Sequence, residues 1–237
     1  MTKLKGFTLA EVLVTLGIIG VVASITMPTL VQNYQKKAFA TQLHKVYNEL
    51  NQAGLSYLDS KHALSMSEAG FNGNERSFLN SAFKVVNDCR RSTTNCLAPS
   101  YKSIDGKTIG HIGKKGTIKS CVSIASGASI CLGTAVIGGL GIDSQGTMSL
   151  GAARVYVDTN GLKGPNTYGR DFFDFVINQD GTAGMIDGPF GNSSYSSLET
   201  LKNGCVNYRE LNEGQDMNAN DGACFNYLVK NNWVMDY

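Results

Sequence analysis

Between Phe7 and Gln35 the chain has one charged side chain, Glu11, at the head of a run from Val12 to Val31 that is apolar except for Thr, Ser, Gly and one Pro. A carboxylate deep in a bilayer costs about 2.5–3.5 kcal/mol on insertion scales, so it is kept where a partner charge meets it or where it stays at the headgroup level. Six cysteines, Cys89, Cys96, Cys121, Cys131, Cys205 and Cys224, all follow this run, and none forms the Cys-x-x-Cys pair of zinc or thioredoxin-like chemistry. Oxygen ligands at Asp158, Asn160 and Asp171 would suit Ca²⁺. Their spacing is not that of an EF-hand, however, and Asn160-Gly161 and Gly164-Pro165-Asn166 are ordinary turn formers. Lys107, His111, Lys114, Lys115 and Lys119 are interleaved with glycine, and Arg90-Arg91 lies elsewhere. Such a stretch is either a loop of solvated lysines or a basic patch for nucleic acid or a surface, and it lacks aromatic residues for base stacking.

No catalytic constellation accompanies these residues. His44, His62 and His111 have no HExxH or Ser-His-Asp spacing, and neither GxSxG nor GxGxxG occurs. Gly106-Lys107-Thr108 copies the end of a phosphate-binding loop, but Tyr101 stands where its first glycine belongs. The expectation is a protein that is not an enzyme and needs no cofactor, Ca²⁺ being the one candidate ion.

The elements that must position these residues begin with the apolar run. About 20 apolar residues span a bilayer as a helix, whereas the core of a secretory signal needs only about 7–15, although Val21-Val22-Ala23 mimics a weak cleavage site. Lys3 and Lys5 account for the whole formal charge of +2, which arises from 21 basic and 19 acidic residues. They hold the N-terminus in the cytoplasm and send the rest of the chain across the membrane. That compartment favours disulfides. Sequence proximity favours Cys89 with Cys96, Cys121 with Cys131, and Cys205 with Cys224 among the pairings six cysteines allow, and Cys121 and Cys131 flank a predicted hairpin turn at Ser126-Gly127.

Beyond the span, Phe39, Leu43, Val46, Tyr47, Leu50, Ala53, Tyr57 and Leu58 recur at helical spacing with charged residues between them, so the helix continues outward as an amphipathic one. Pro28 removes one of its hydrogen bonds, which predicts a kink or local melting. At 237 residues the chain is a single elaborated domain or one domain plus an appendage, turn-rich with 27 glycines and 17% charged residues. A second helix is expected through Phe78, Leu79, Ala82, Phe83, Val85 and Val86 to Cys89. Strands are expected at 122–132 (a hairpin), 134–142, 147–158, 172–178 and 182–186, and a last strand at Phe225-Asn-Tyr-Leu-Val.

Lys5-Gly6-Phe7-Thr8-Leu9-Ala10-Glu11-Val12-Leu13-Val14-Thr15-Leu16-Gly17-Ile18-Ile19-Gly20 resembles the class III signal of type IV prepilins and type II secretion pseudopilins. The resemblance implies that a prepilin peptidase cuts after Gly6 and methylates the new amine of Phe7. It further implies assembly with other pilin or pseudopilin subunits on a platform in the membrane, the Phe7 amine of one subunit pairing with Glu11 of its neighbour. Related pilins carry a proline at the place of Pro28. Val157-Asp158-Thr-Asn160-Gly161 through Gly169-Arg-Asp171-Phe172 likewise resembles a loop before the last strands of pilin-like heads, and some major pseudopilins hold calcium in loops of their heads. The implied fold is α+β and pilin-like: a long N-terminal helix, membrane half plus amphipathic half, packed on an antiparallel head with disulfide-stapled loops. The expected division is a leader at 1–6, the transmembrane and polymerisation half of the helix at 7–31, its amphipathic half at 32–58, and an extracytoplasmic head at 59–237. The implied function is a structural subunit of a type IV pilus or a type II secretion-like pseudopilus, first in the cytoplasmic membrane and then in an extracellular or periplasmic filament. The alternative is a minor tip subunit that binds DNA, secreted cargo or a surface.

Overall fold

The computed structural model describes residues 6, 8–109, 118–134, 140–142, 148–186, 197–207 and 222–237. The helix α1 runs from Leu9 to Lys61 and is followed by α2 (Glu75–Ala82) and strands β1 (Val85–Arg90), β2 (Tyr101–Lys102), β3 (Thr108–Ile109), β4 (Ile118–Ile124) and β5 (Ser129–Thr134). Then come β6 (Leu140–Ile142), β7 (Met148–Asp158), β8 (Phe172–Asn178), β9 (Ala183–Gly184), α3 (Leu198–Val206) and α4 (Ala223–Lys230). The chain divides into two compact units, Met1–Ala38 and Phe39–Tyr237.

In the first unit α1 is unbroken through Pro28, without the local melting its proline predicts. The hydroxyls of Ser24, Thr26 and Thr29 turn back onto the carbonyls of Val21, Val22 and Ile25 or Thr26 in the turns around that proline. Hydroxyls of this kind help apolar helices absorb a proline. Side chains from Leu9 to Val31 are exposed all round, Leu13 at 62% and Ile18 at 60% among them.

In the second unit the same helix buries Ala40, Leu43, Val46, Leu50, Gly54 and Leu58, three to four residues apart, which lays one stripe on the core. Phe39, Tyr47, Ala53 and Tyr57 flank the stripe half-buried. Beneath it the main sheet has the order β1-β4-β5-β7-β8-β9, with β6 on β7, and its pairs are antiparallel. Every residue of β8 is buried. Its Phe175 meets Tyr47 of α1 edge-on and stacks on Phe225 of α4 at 4.4 Å between centroids. The closest approach lies at the β8–β9 turn. A Cβ built on Gly54 falls 1.9 Å from the carbonyl oxygen of Gly181, which itself has φ +80. Two glycines therefore let helix and turn touch backbone to backbone. Beside them Asn51 Oδ1 accepts the Ala183 N–H at 2.8 Å.

The disulfides are Cys89–Cys96, Cys121–Cys131 and Cys205–Cys224. The first closes the loop after β1, the second joins directly opposed residues of β4 and β5, and the third joins α3 to α4. They fasten strands and helices as much as loops.

Three predicted elements differ. The second helix stops at Ala82, Phe83 is extended, and Val85 to Cys89 belong to β1, leaving Val86 72% exposed. Two adjacent β-branched residues favour the sheet edge over a helix. The run Phe225-Asn-Tyr-Leu-Val is helix α4, not a strand. A short apolar run fits either when its whole surface is buried. Here successive side chains find partners around an axis: Cys224 meets Cys205, Phe225 meets Phe175, and Asn226 Nδ2 donates to the Ile186 carbonyl at 2.7 Å. Of the strand expected over 134–142, Thr134 ends β5, Leu140–Ile142 form β6, and 135–139 lie outside the described residues.

Gly54→Ala tests the close approach. Gly to Ala inside a helix ordinarily stabilises by about 1 kcal/mol. At Gly54 the new methyl would displace the Gly181 backbone, and overpacking of that kind costs about 1–3 kcal/mol. The expected result is a lower melting temperature for Gly54→Ala, with an alanine at exposed Gly20, where nothing lies within 4 Å, as the control.

Candidate functional site

The first turn of α1 is capped by side chains. Glu11 Oε2 accepts the Thr8 backbone N–H and the Thr8 hydroxyl, each at 2.8 Å, while Thr8 Oγ1 accepts the Glu11 N–H at 3.3 Å. This Thr-x-x-Glu arrangement is a capping box, which satisfies helix N–H groups that have no intrahelical acceptor and puts a carboxylate at the positive end of the helix dipole. Gly6 is exposed just before it, and Phe7 lies outside the described residues. Directly after the box begins the stretch long and apolar enough to cross a membrane, none of it buried within the chain. An exposed glycine, a carboxylate and an unburied apolar helix thus follow one another within a few residues.

On the head, Asp158 and Asp171 come together at the mouth of β7 and β8, both fully buried. Asp158 Oδ2 accepts the Tyr101 hydroxyl at 2.6 Å and Oδ1 accepts the Asn160 N–H at 3.1 Å. Asp171 accepts the N–H groups of Asn166 at 2.7 Å and Thr167 at 2.6 Å, one on each oxygen. Burial, joined by the charge of Asp171, pushes the Asp158 carboxyl up to about 8, and burial raises Asp171 too. The Tyr101 hydroxyl is pushed up by burial and then by Asp158. Gly169, at φ +84, rests the loop on the third disulfide, since a Cβ there would fall 2.6 Å from the Cys224 sulfur.

In the structure the oxygens of Asp158 and Asp171 face hydrogen-bond donors of the chain itself. Calcium takes about six to eight oxygen ligands. Here the positive ends of N–H and O–H dipoles already face both carboxylates, and only Asn160 Oδ1 and Asn166 Oδ1 are buried without a partner. Among the described residues no three His, Cys, Asp or Glu side chains gather. The residues form a clasp that closes the loop between β7 and β8.

A second buried set holds α4. Asp174 pairs with Arg154, accepts the Tyr168 hydroxyl at 2.7 Å and accepts the Gly222 N–H at 3.1 Å, where α4 starts. The basic residues separate. Lys107 is paired with Asp105 at 2.6 Å, and His111, Lys114 and Lys115 lie outside the described residues. Lys119 lines a cavity of about 310 Å³ together with Gly73, Glu75, Arg76, Arg90 and Arg91.

Residues 1–27 match the family described as the prokaryotic N-terminal methylation motif. The chain carries a type IV prepilin-type signal. No curated protein and no solved structure matches the chain. The prepilin-type signal supports a pilin- or pseudopilin-type subunit, and with the apolar α1 it fits membrane anchoring. It implies pilin partners and a prepilin peptidase in general terms.

The sequence reading missed three features beside the prepilin signal. The capping box was legible, because Thr8-Leu-Ala-Glu11 before an apolar run is its signature. The Asp174 set and the arginine cavity carry no local signature, for their members come from separate elements.

The Asp158 clasp predicts a pH dependence. A carboxyl raised on folding contributes stability that is complete below about pH 4 and is lost as pH rises through about 8. The melting temperature of the detergent-solubilised protein should therefore fall across that range, and Asp158→Asn should flatten the slope. The same measurement should be equal in Ca²⁺ and in EDTA; a rise in Ca²⁺ but not in Mg²⁺ would overturn the clasp. Asp174→Ala removes the buried ion pair with Arg154 together with the acceptor for Tyr168 and Gly222, and should lower stability by about 3–5 kcal/mol, read by denaturant unfolding.

Proposed function

We propose that the protein is a structural filament subunit of a type IV pilus or type II secretion-like pseudopilus and not an enzyme. Prepilin peptidase processes it after Gly6, and it assembles through α1. The observation that carries this is the Thr8–Glu11 cap opening directly onto an apolar helical stretch that no described residue buries. In lipid that stretch is a single span with its N-terminus in the cytoplasm. In a filament the same surface is buried by neighbouring helices.

Glu11 then has two successive tasks. In the unassembled chain its carboxylate closes the capping box. After cleavage at Gly6 the new Phe7 amine of a neighbour supplies a charge that the carboxylate meets in an apolar surrounding, which sets the register between subunits. A second reading, a minor tip subunit acting as a binding module, is favoured by the cation-lined cavity on the head. Immunogold labelling distinguishes the two readings, with even labelling along filaments for a main subunit and terminal labelling for a tip subunit.

Intact-mass measurement of the native protein should give an N-terminus at Phe7 carrying one N-methyl group, whereas a start at Ser24 would identify a secretory signal. Glu11→Gln keeps an acceptor for the cap and removes the charge. In cells without wild-type subunit it should insert normally and yield few filaments, as should Glu11→Ala. Wild-type filament yield from Glu11→Gln would show that the side chain serves only as a cap.

A further inference from the structure

Four cations from separate parts of the chain surround the 310 Å³ cavity: Arg76 of α2, Arg90 and Arg91 at the end of β1, and Lys119 of β4. Arg76 is spent on Asp88 at 2.7 Å. The side chains of Arg90, Arg91 and Lys119 make no hydrogen bond or ion pair with any described residue, and the one carboxylate in the wall, Glu75, accepts the Gly73 N–H at 3.1 Å. Unpaired like charges repel, so their gathering is unfavourable unless an anion joins them.

The backbone is bent to bring them there. Between Asp88↔Val122 and Arg90↔Cys121, β1 carries one extra residue, a bulge, and Arg90 adopts φ +58. A left-handed residue in such a bulge is normally glycine, because any Cβ is strained there. Lys119 sits at the register shift between Ile118 and Ser120 on β4, so it too is aimed by a bulge. The Cys89–Cys96 bridge closes the loop that holds Arg90 and Arg91, and Asp88 Oδ1 accepts the Arg90 N–H at 2.9 Å. Both arginines are fixed at their base before any ligand arrives, which reduces the entropy lost on binding.

We propose that this cavity binds a phosphate group. Guanidinium forks match phosphate oxygens two at a time, and Lys119 adds a point charge from the half-buried side. Strain at Arg90 is kept because the bulge turns the guanidinium onto the cavity. The site goes beyond the filament role and does not depend on it, since Glu11 variants leave it untouched.

The test uses the full chain in neutral detergent, titrated with inorganic phosphate and separately with a short single-stranded oligonucleotide, at ionic strength matched with sodium chloride. Arg90→Gly is the deciding variant, because glycine relieves the backbone while removing the guanidinium. Its melting temperature should equal or exceed that of the wild type, and its affinity should fall roughly tenfold, the loss of one charge-assisted contact. Arg91→Ala with Lys119→Ala should abolish binding. Saturation by inorganic phosphate assigns the group to a free anion, and saturation by the oligonucleotide alone assigns it to a phosphodiester; both support the site. No saturable binding of either probe, or equal affinity in Arg90→Gly, overturns it.

Discussion

The head is organised by one backbone contact, the meeting of α1 with the β8–β9 turn at Gly54 and Gly181. At that distance the helix can neither rotate nor slide without a clash, so its register on the sheet is set. Leu43, Val46, Leu50 and Leu58 follow onto the core, and Asn51 reaches the β9 backbone. Tyr47 is carried to Phe175 and Phe225, through which α4 joins the same core. Contact this close excludes water from the backbone groups on both sides, which is why Asn51 must supply an acceptor to Ala183.

One helix serves two surroundings because its composition changes along its length. From Leu9 to Val31 apolar side chains face every direction, as a helix in lipid or among other helices requires. From Ala40 onward the apolar residues narrow to a stripe and the Lys45–Glu49 pair lies on the opposite side. The head has its own core and three disulfides.

Buried ionisable groups are concentrated around β7 and β8, where Arg154, Asp158, Asp171 and Asp174 are all inaccessible. Each has a specific partner, as burial demands. Asp174 joins β8 to Arg154 of β7, to Tyr168 and to the start of α4, while Asp158 and Asp171 clasp the connection between the two strands. These carboxylates order the backbone. The exposed arginines near β1 differ: the side chains of Arg90 and Arg91 make no ion pair with a described residue, and Arg90 adopts a left-handed backbone beside the cavity.

The amino-acid sequence alone determined the features that depend on neighbours along the chain. Gly6, Glu11 and the apolar run declare the prepilin signal because cleavage, capping and membrane insertion each read a short contiguous segment. The stripe from Leu43 to Leu58 and the β4–β5 hairpin were equally legible, as periodicity and a turn need only local order. Tertiary structure decided the rest. Residues 225–229 became helix because partners surround them on every side, and Val85-Val86 became strand because β4 offered them a free edge. Asp158 and Asp171 read as metal ligands by type, yet donors from Tyr101, Asn166 and Thr167 claim their oxygens. Lys119 reads with the lysines before it, yet strand pairing carries it to Arg90 and Arg91, because β-sheet register joins residues distant in sequence and side-chain type alone says nothing of where that pairing falls.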